Sequence, residues 1–197
     1  MHELPPPLYV SHEIGTVTAK DGRTFNAVMG LPKELVEQLK ERSLDLSDTE
    51  LQENSSDYKR FGEGSYEEWY AKERTTFALV DPANGKLAAV GWLGPKPLGR
   101  DSAKHLSEDE QRVDERALAS GDWHTISFRS YGEYRGVGLM KEFSKLVLDA
   151  YKKGYPNAKI WSITDRTNKG STKLSESMGL IEHPESTDTR IVMAEPE

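Results

Sequence analysis

Cysteine is absent from the 197 residues. That excludes a disulfide scaffold, a thiolate metal site and a cysteine nucleophile. Long apolar runs are absent as well: the start of the chain, Met1 to Val10, carries three consecutive prolines and no signal-peptide pattern, and no segment approaches membrane-spanning length. The expectation is a soluble, cytoplasmic protein with no membrane partner. Basic charge is in deficit, with 26 Lys and Arg against 33 Asp and Glu and a formal net charge of -7. A nucleic-acid backbone needs a basic face to displace its counterions, so no nucleic-acid partner is expected, and a cationic or amine substrate fits better. The five histidines show no metal-ligand spacing, so no metal is expected. There is no GxSxG elbow, no Gly-Lys-Ser/Thr of a P-loop, no third glycine at the spacing of a dinucleotide-binding fold, and no acidic residue ending the next strand before Asp165.

What is present is core material for one domain: hydrophobic content is only 36%, but four Trp, eight Tyr and five Phe supply bulk. Residues 1 to 12 read as an extended arm, because Pro5, Pro6 and Pro7 forbid helix, and 13 to 197 as a single domain. Gly15 to Val28 reads as a hairpin around Asp21 and Gly22; Thr75 to Val80 and Lys86 to Leu93 form a second hairpin across Asn84 and Gly85. Leu35, Val36 and Leu39 place a helix over Leu31 to Arg42. Between residues 43 and 75 only Tyr66 to Lys72 suggests helix. Its Glu67, Glu68, Trp69 and Tyr70 read either as a helix with one packed face or as an acidic, aromatic-edged amine pocket. Gly94 to Gly121 is polar, either a solvated face or a substrate gate.

The second half is more explicit. A strand over Trp123 to Arg129 leads into the turn Tyr134, Arg135, Gly136, Val137, Gly138, Leu139. A helix over Leu139 to Lys153 follows, with Met140, Phe143, Leu146, Val147 and Tyr151 on one face. Ala158 to Thr164 and Arg190 to Ala194 read as strands, and Ser171 to Met178 as a short helix. Glycines in such a turn let successive N–H groups converge, and the first turn of the next helix adds unpaired donors and a positive dipole end. An anionic group is the natural occupant.

This order resembles the GNAT superfamily of acyl-CoA-dependent N-acetyltransferases. Arg135, Gly138 and Met140 fall on the family's RxxGxG/A turn, and Asn168, Ser171, Leu174, Gly179 and Leu180 on its second motif. The resemblance implies an α/β (α+β), GNAT-like fold, a central mixed, mostly antiparallel sheet flanked by helices in a single domain. It further implies an N-acetyltransferase that takes acetyl-CoA as co-substrate and a small-molecule or peptide amine as acceptor. The implied cofactor-binding residues are Phe128, Arg129 and Ser130 on the pantetheine and thioester edge, and Arg135, Gly136, Val137, Gly138, Leu139 and Met140 in the pyrophosphate loop. Asn168 and Ser171 fall on the far side of the cleft, with Asn168 read equally well as a helix cap. Relatives are often dimers, so a homodimer is an expectation resting on the resemblance alone.

Two departures stand out. Met140 occupies a position usually held by Gly or Ala, and Ser175 stands where many relatives have a Tyr that protonates the departing thiolate; a serine hydroxyl is shorter and a far poorer acid. A GNAT-fold module that binds acyl-CoA or a partner without turnover is therefore the alternative. Amine transfer requires a base. His124 is the first candidate, because strict alternation puts it on one strand face with Phe128 and Ser130; otherwise it is a strand-end histidine without chemistry. Asp122 and Glu133 are weaker candidates.

Overall fold

The computed structural model describes residues 4–101, 105–114, 118 and 122–196. Two hairpins begin a sheet that a helical crossover then extends. β1 (His12–Thr18) and β2 (Thr24–Met29) pair across the Asp21–Gly22 turn, and β3 (Thr75–Asp81) and β4 (Lys86–Pro95) pair across Asn84–Gly85. β5 (Trp123–Ser130) lies antiparallel to β4 and parallel to β6 (Lys159–Asp165), which is followed by β7 (Ile181–Glu182) and β8 (Arg190–Ala194). The result is an eight-stranded mixed sheet in the order β1-β2-β3-β4-β5-β6-β8-β7, in which β5–β6 is the parallel pair.

Helices cover both faces. α1 (Lys33–Leu44), α2 (Thr49–Asn54) and α3 (Tyr66–Tyr70) lie on one side, with a π-helical turn at Tyr58–Gly62. Their core joins Leu35, Leu39, Phe61 and Tyr66 to Trp92 and Tyr131. α4 (Glu108–Arg112) is short and closed by a capping box from Ser107 and Glu110. α5 (Met140–Gly154) packs on the opposite face, where Phe143, Val147 and Tyr151 meet Phe25, Phe77, Ile126 and Ile160. α6 (Lys169–Ser177) follows β6.

Both expected hairpins and the strong helix are present. The stretch 43–75 holds more structure than its polar composition suggests: α2 is started by Asp48, whose carboxylate accepts from Leu51 N–H at 3.1 Å. Of the polar stretch 94–121, residues 102–104, 115–117 and 119–121 lie outside the described residues. The N-terminal arm is tied down rather than loose. The Tyr70 hydroxyl donates to the Pro6 carbonyl at 2.6 Å, and the Tyr155 hydroxyl to that of Leu4 at 3.0 Å. No helix among the described residues is long and apolar enough to cross a membrane.

Candidate functional site

β5 and β6 pair only through Trp123↔Lys159, His124↔Ile160 and Thr125↔Trp161, then part. Beyond that point Ile126–Ser130 stays bonded to β4, so its β6-facing edge has no strand partner. A cleft of about 1130 Å³ fills the gap, with β5 on one wall, Ser162–Asp165 on the other, and Asn168, Ser171 and Leu174 of the α6 region closing it. Residues before and within the π-helical turn, together with Trp69 and Trp92, form the remaining side.

The glycine turn sits at the end of β5. Gly136 and Gly138 both hold left-handed backbone, with φ of +75° and +85°. The N-cap residue of α5 is Leu139, whose side chain makes no capping hydrogen bond. The first N–H groups of the helix therefore remain available to an anion. The β1–β2 turn reaches this loop: Lys20 N–H donates to the Val137 carbonyl at 2.9 Å, and the Lys20 side chain runs beside Gly138. Val137 and Leu139 turn their side chains into the α5 core, so they can serve a ligand only through their backbone.

Of the residues expected at the site, Phe128, Arg129, Ser130, Arg135, Met140, Asn168 and Ser171 line the cleft. Several have side chains already engaged. Arg135 makes a bidentate pair with Asp48 at 2.7 and 2.8 Å and donates to the Ser130 carbonyl at 2.9 Å, fastening the turn to α2. Asn168 caps α6, accepting from Ser171 N–H at 3.1 Å. Arg129 turns to the α1–α3 side, where its Nε donates to Asp57 at 2.7 Å.

His124 is not brought to the cleft. It shares the α5 face with Phe128, which packs edge-on against Phe143 of that helix, but its Nδ1 meets the Tyr151 hydroxyl at 2.6 Å and its ring lies 5.3 Å from that of Tyr155. Burial pushes the Tyr151 phenol up, so it keeps its proton beside the ring. Alternation along a strand assigns a face but not an environment, which is why the spacing misled. Glu133 is bound to Arg42 at 3.2 Å, and Asp122, two positions before His124, is also outside the cleft lining.

Burial, offset only in part by Asp122 and Glu73, holds the His124 imidazole below its ordinary pKa. The unfolded chain therefore takes up a proton that the folded chain refuses as pH falls through the ordinary imidazole range. Stability is full above that range and lost below it. His124→Gln is expected to flatten the acid-side fall in melting temperature, measured between about pH 7.5 and 5.5; an unchanged pH profile would refute the assignment.

Features that the sequence reading missed complete the site. Asp57 is fully buried and binds both Arg129 and Arg60, the latter at 2.7 Å. His105 Nε2 lies 3.2 Å from Asp165 Oδ1; both line the cleft, and His105 is the only histidine among the described lining residues. Ser175 is buried and its hydroxyl is bonded to that of Ser162 at 2.8 Å. Asp57 with Arg129 and His105 with Asp165 are joined only across 72 and 60 positions of chain, so no local motif shows them, whereas Ser175 was already marked by the second motif and the structure adds its burial and its bond to Ser162.

No protein-family model matches the chain, and no curated protein matches it in sequence. Solved structures do. The chain is similar to the GNAT domain of S. lividans PAT, with TM-score 0.62 and 14% identity over 92% of this chain and 95% of that one. It is also similar to Mycobacterium smegmatis RimJ in complex with CoA-disulfide, with TM-score 0.61 and 13% identity over 98% and 89% of the two chains. A third is spermidine N-acetyltransferase from Vibrio cholerae in complex with CoA and spermine, with TM-score 0.57 and 14% identity over 85% and 92%. The fold is that of the GNAT acetyltransferases.

Proposed function

We propose that this GNAT-fold chain moves an acetyl group from acetyl-CoA to a primary amine by direct attack within a ternary complex. The observation that carries the reading is the parting of β5 from β6 with a double left-handed glycine turn and an uncapped helix N-terminus at its end. Such a site offers backbone donors to a diphosphate at one end and an unpaired strand edge along its length. Acetyl-CoA, when bound, supplies the activated acetyl thioester.

The residues divide the work. The N–H groups of Gly136 to Met140 would hold the pyrophosphate, with Lys20 adding charge from the β1–β2 turn. The edge of Phe128, Arg129 and Ser130 offers backbone groups to the pantetheine arm, and N–H groups there can donate to a carbonyl oxygen that gains negative charge. Asn168 and Ser171 border the opposite side. The complex of the V. cholerae enzyme with spermine supports a small-molecule amine as acceptor.

His105 takes the place first given to His124 as the base. Asp165 faces its Nε2, which favours the tautomer with the proton on that nitrogen and leaves Nδ1 to accept one from the acceptor amine. His105→Gln is expected to lower turnover by about 10²–10⁴ with acetyl-CoA affinity retained; an unchanged rate would remove His105 from the chemistry.

The second reading, a module that binds acyl-CoA without turnover, is favoured by Ser175, whose hydroxyl is buried and committed to Ser162. Equilibrium binding of acetyl-CoA with thiol release measured over a panel of amines separates the two. Steady thiol release establishes transfer, binding alone establishes the module, and absence of binding ends both.

A further inference from the structure

The cleft wall opposite α5 carries a charge imbalance that the acidic chain as a whole conceals. Asp57 is fully buried, yet two guanidinium groups converge on it: Arg60 Nη1 at 2.7 Å and Arg129 Nε at 2.7 Å. One carboxylate thus faces two permanent cations. Both lie over the Trp92 ring, 5.4 and 4.9 Å from its centroid, and all three residues line the cleft.

The donors are far from used up. Arg129 spends its bonds on Asp57 and on the Phe128 carbonyl, whereas Arg60 gives Asp57 its one side-chain hydrogen bond among the described residues, out of five donors. Each guanidinium side chain keeps 19% of its surface exposed. Beside Asp57, the Ser56 hydroxyl is buried, borders the same cleft, and has no hydrogen-bond partner among the described residues. Desolvation, with the charges of Arg129 and Arg74 adding to it, draws Arg60 below its ordinary pKa even against Asp57. Each of these features is relieved by one incoming anion. Glu50, Glu68 and Glu108 also line the cleft but are solvent-exposed residues, and Asp114 and Asp165 border it too.

We propose that the acceptor is an amino acid or a similar amine bearing a carboxylate, with the carboxylate held by Arg60 and Arg129, whose guanidinium groups stack on the Trp92 face, and within reach of the Ser56 hydroxyl. The planar guanidinium fork matches a carboxylate in two parallel hydrogen bonds, and the Trp92 face excludes water beneath it. This inference rests on the acetyl-transfer reading for the identity of the reacting amine; the anion site itself does not.

The test uses matched pairs in which only the carboxylate differs, tyrosine with tyramine and lysine with cadaverine. Phosphoethanolamine serves as the phosphate-bearing competitor. Binding to the full chain is measured by calorimetry with and without CoA, and thiol release from acetyl-CoA is followed in parallel. The carboxylate-bearing member is expected to bind about tenfold tighter or better, and Arg129→Gln or Arg60→Gln to erase that preference. Either substitution leaves Asp57 with one cation, a balanced pair, so the fold has no unpaired charge to accommodate. Equal binding within the pairs, preference for phosphoethanolamine, or a preference surviving both substitutions overturns the proposal. Carboxylate-selective binding without thiol release sinks the transfer reading alone, and thiol release without selectivity sinks this one alone.

Discussion

Asp57→Ala is expected to destabilise the chain by about 3 kcal/mol, the low end of the range for breaking a buried ion pair. For a chain of this size that lowers the melting temperature by about 6–12 °C. The cause is local: Arg60 and Arg129 would remain together under Trp92 with no counter-charge, and both are only one-fifth exposed. Their partial access to cleft water keeps the cost from the upper end of the range. Because the damage is repulsion between two cations, adding Arg129→Gln to the alanine variant should recover part of the loss, a coupling that urea denaturation of the single and double variants measures. Sulfate should also protect the alanine variant more than the parent. A melting temperature within about 2 °C of the parent would show that the pair is solvated and not a buried charge cluster.

Gly136→Val with Gly138→Val is expected to weaken acetyl-CoA binding about 100-fold, because a β-branched residue in left-handed backbone costs about 1–2 kcal/mol and two such costs drive the turn to another path. The change should be felt by the ligand more than by the fold. A Cβ at Gly136 meets nothing within 4 Å, and one at Gly138 meets the flexible side chain of Lys20 at 2.8 Å. What the new path loses is the aim of successive N–H groups toward one point. Calorimetry of acetyl-CoA binding checks this; undiminished affinity would mean that the turn is only a connection between β5 and α5.

The turn and the helix after it were legible because their physics is local. Two glycines, a preceding β-type run and an apolar stripe at helical spacing lie within one short segment, and the structure places them as read. The same holds for the two hairpins, which Asp-Gly and Asn-Gly turns close, although each pairing shifts register once further along, at Glu13/Gly15 and at Leu79/Val80. Asn168 was legible as a cap for that reason too, its partner being the N–H of Ser171.

His124 shows where local reading ends. Its alternation with Phe128 is real, but α5 arrives on that face and brings Tyr151 and Tyr155, so the ring is enclosed in packing instead of facing the cleft. Asp57 and Arg129 are 72 positions apart, Asp48 and Arg135 are 87, and His105 and Asp165 are 60. None of these pairs leaves a periodicity or a motif, since ion pairing across a sheet depends on which strands become neighbours.

The sequence by itself therefore determined the elements, the double-glycine turn and the resemblance to a fold, because each follows from backbone preferences and spacing within a few turns of chain. The opening of β5 from β6, the convergence of Arg60 and Arg129 on Asp57, and the placing of His105 beside the cleft and His124 against Tyr151 were decided only by tertiary structure. They arise from long-range packing, where burial and the sign of a neighbour's charge fix what a side chain can do.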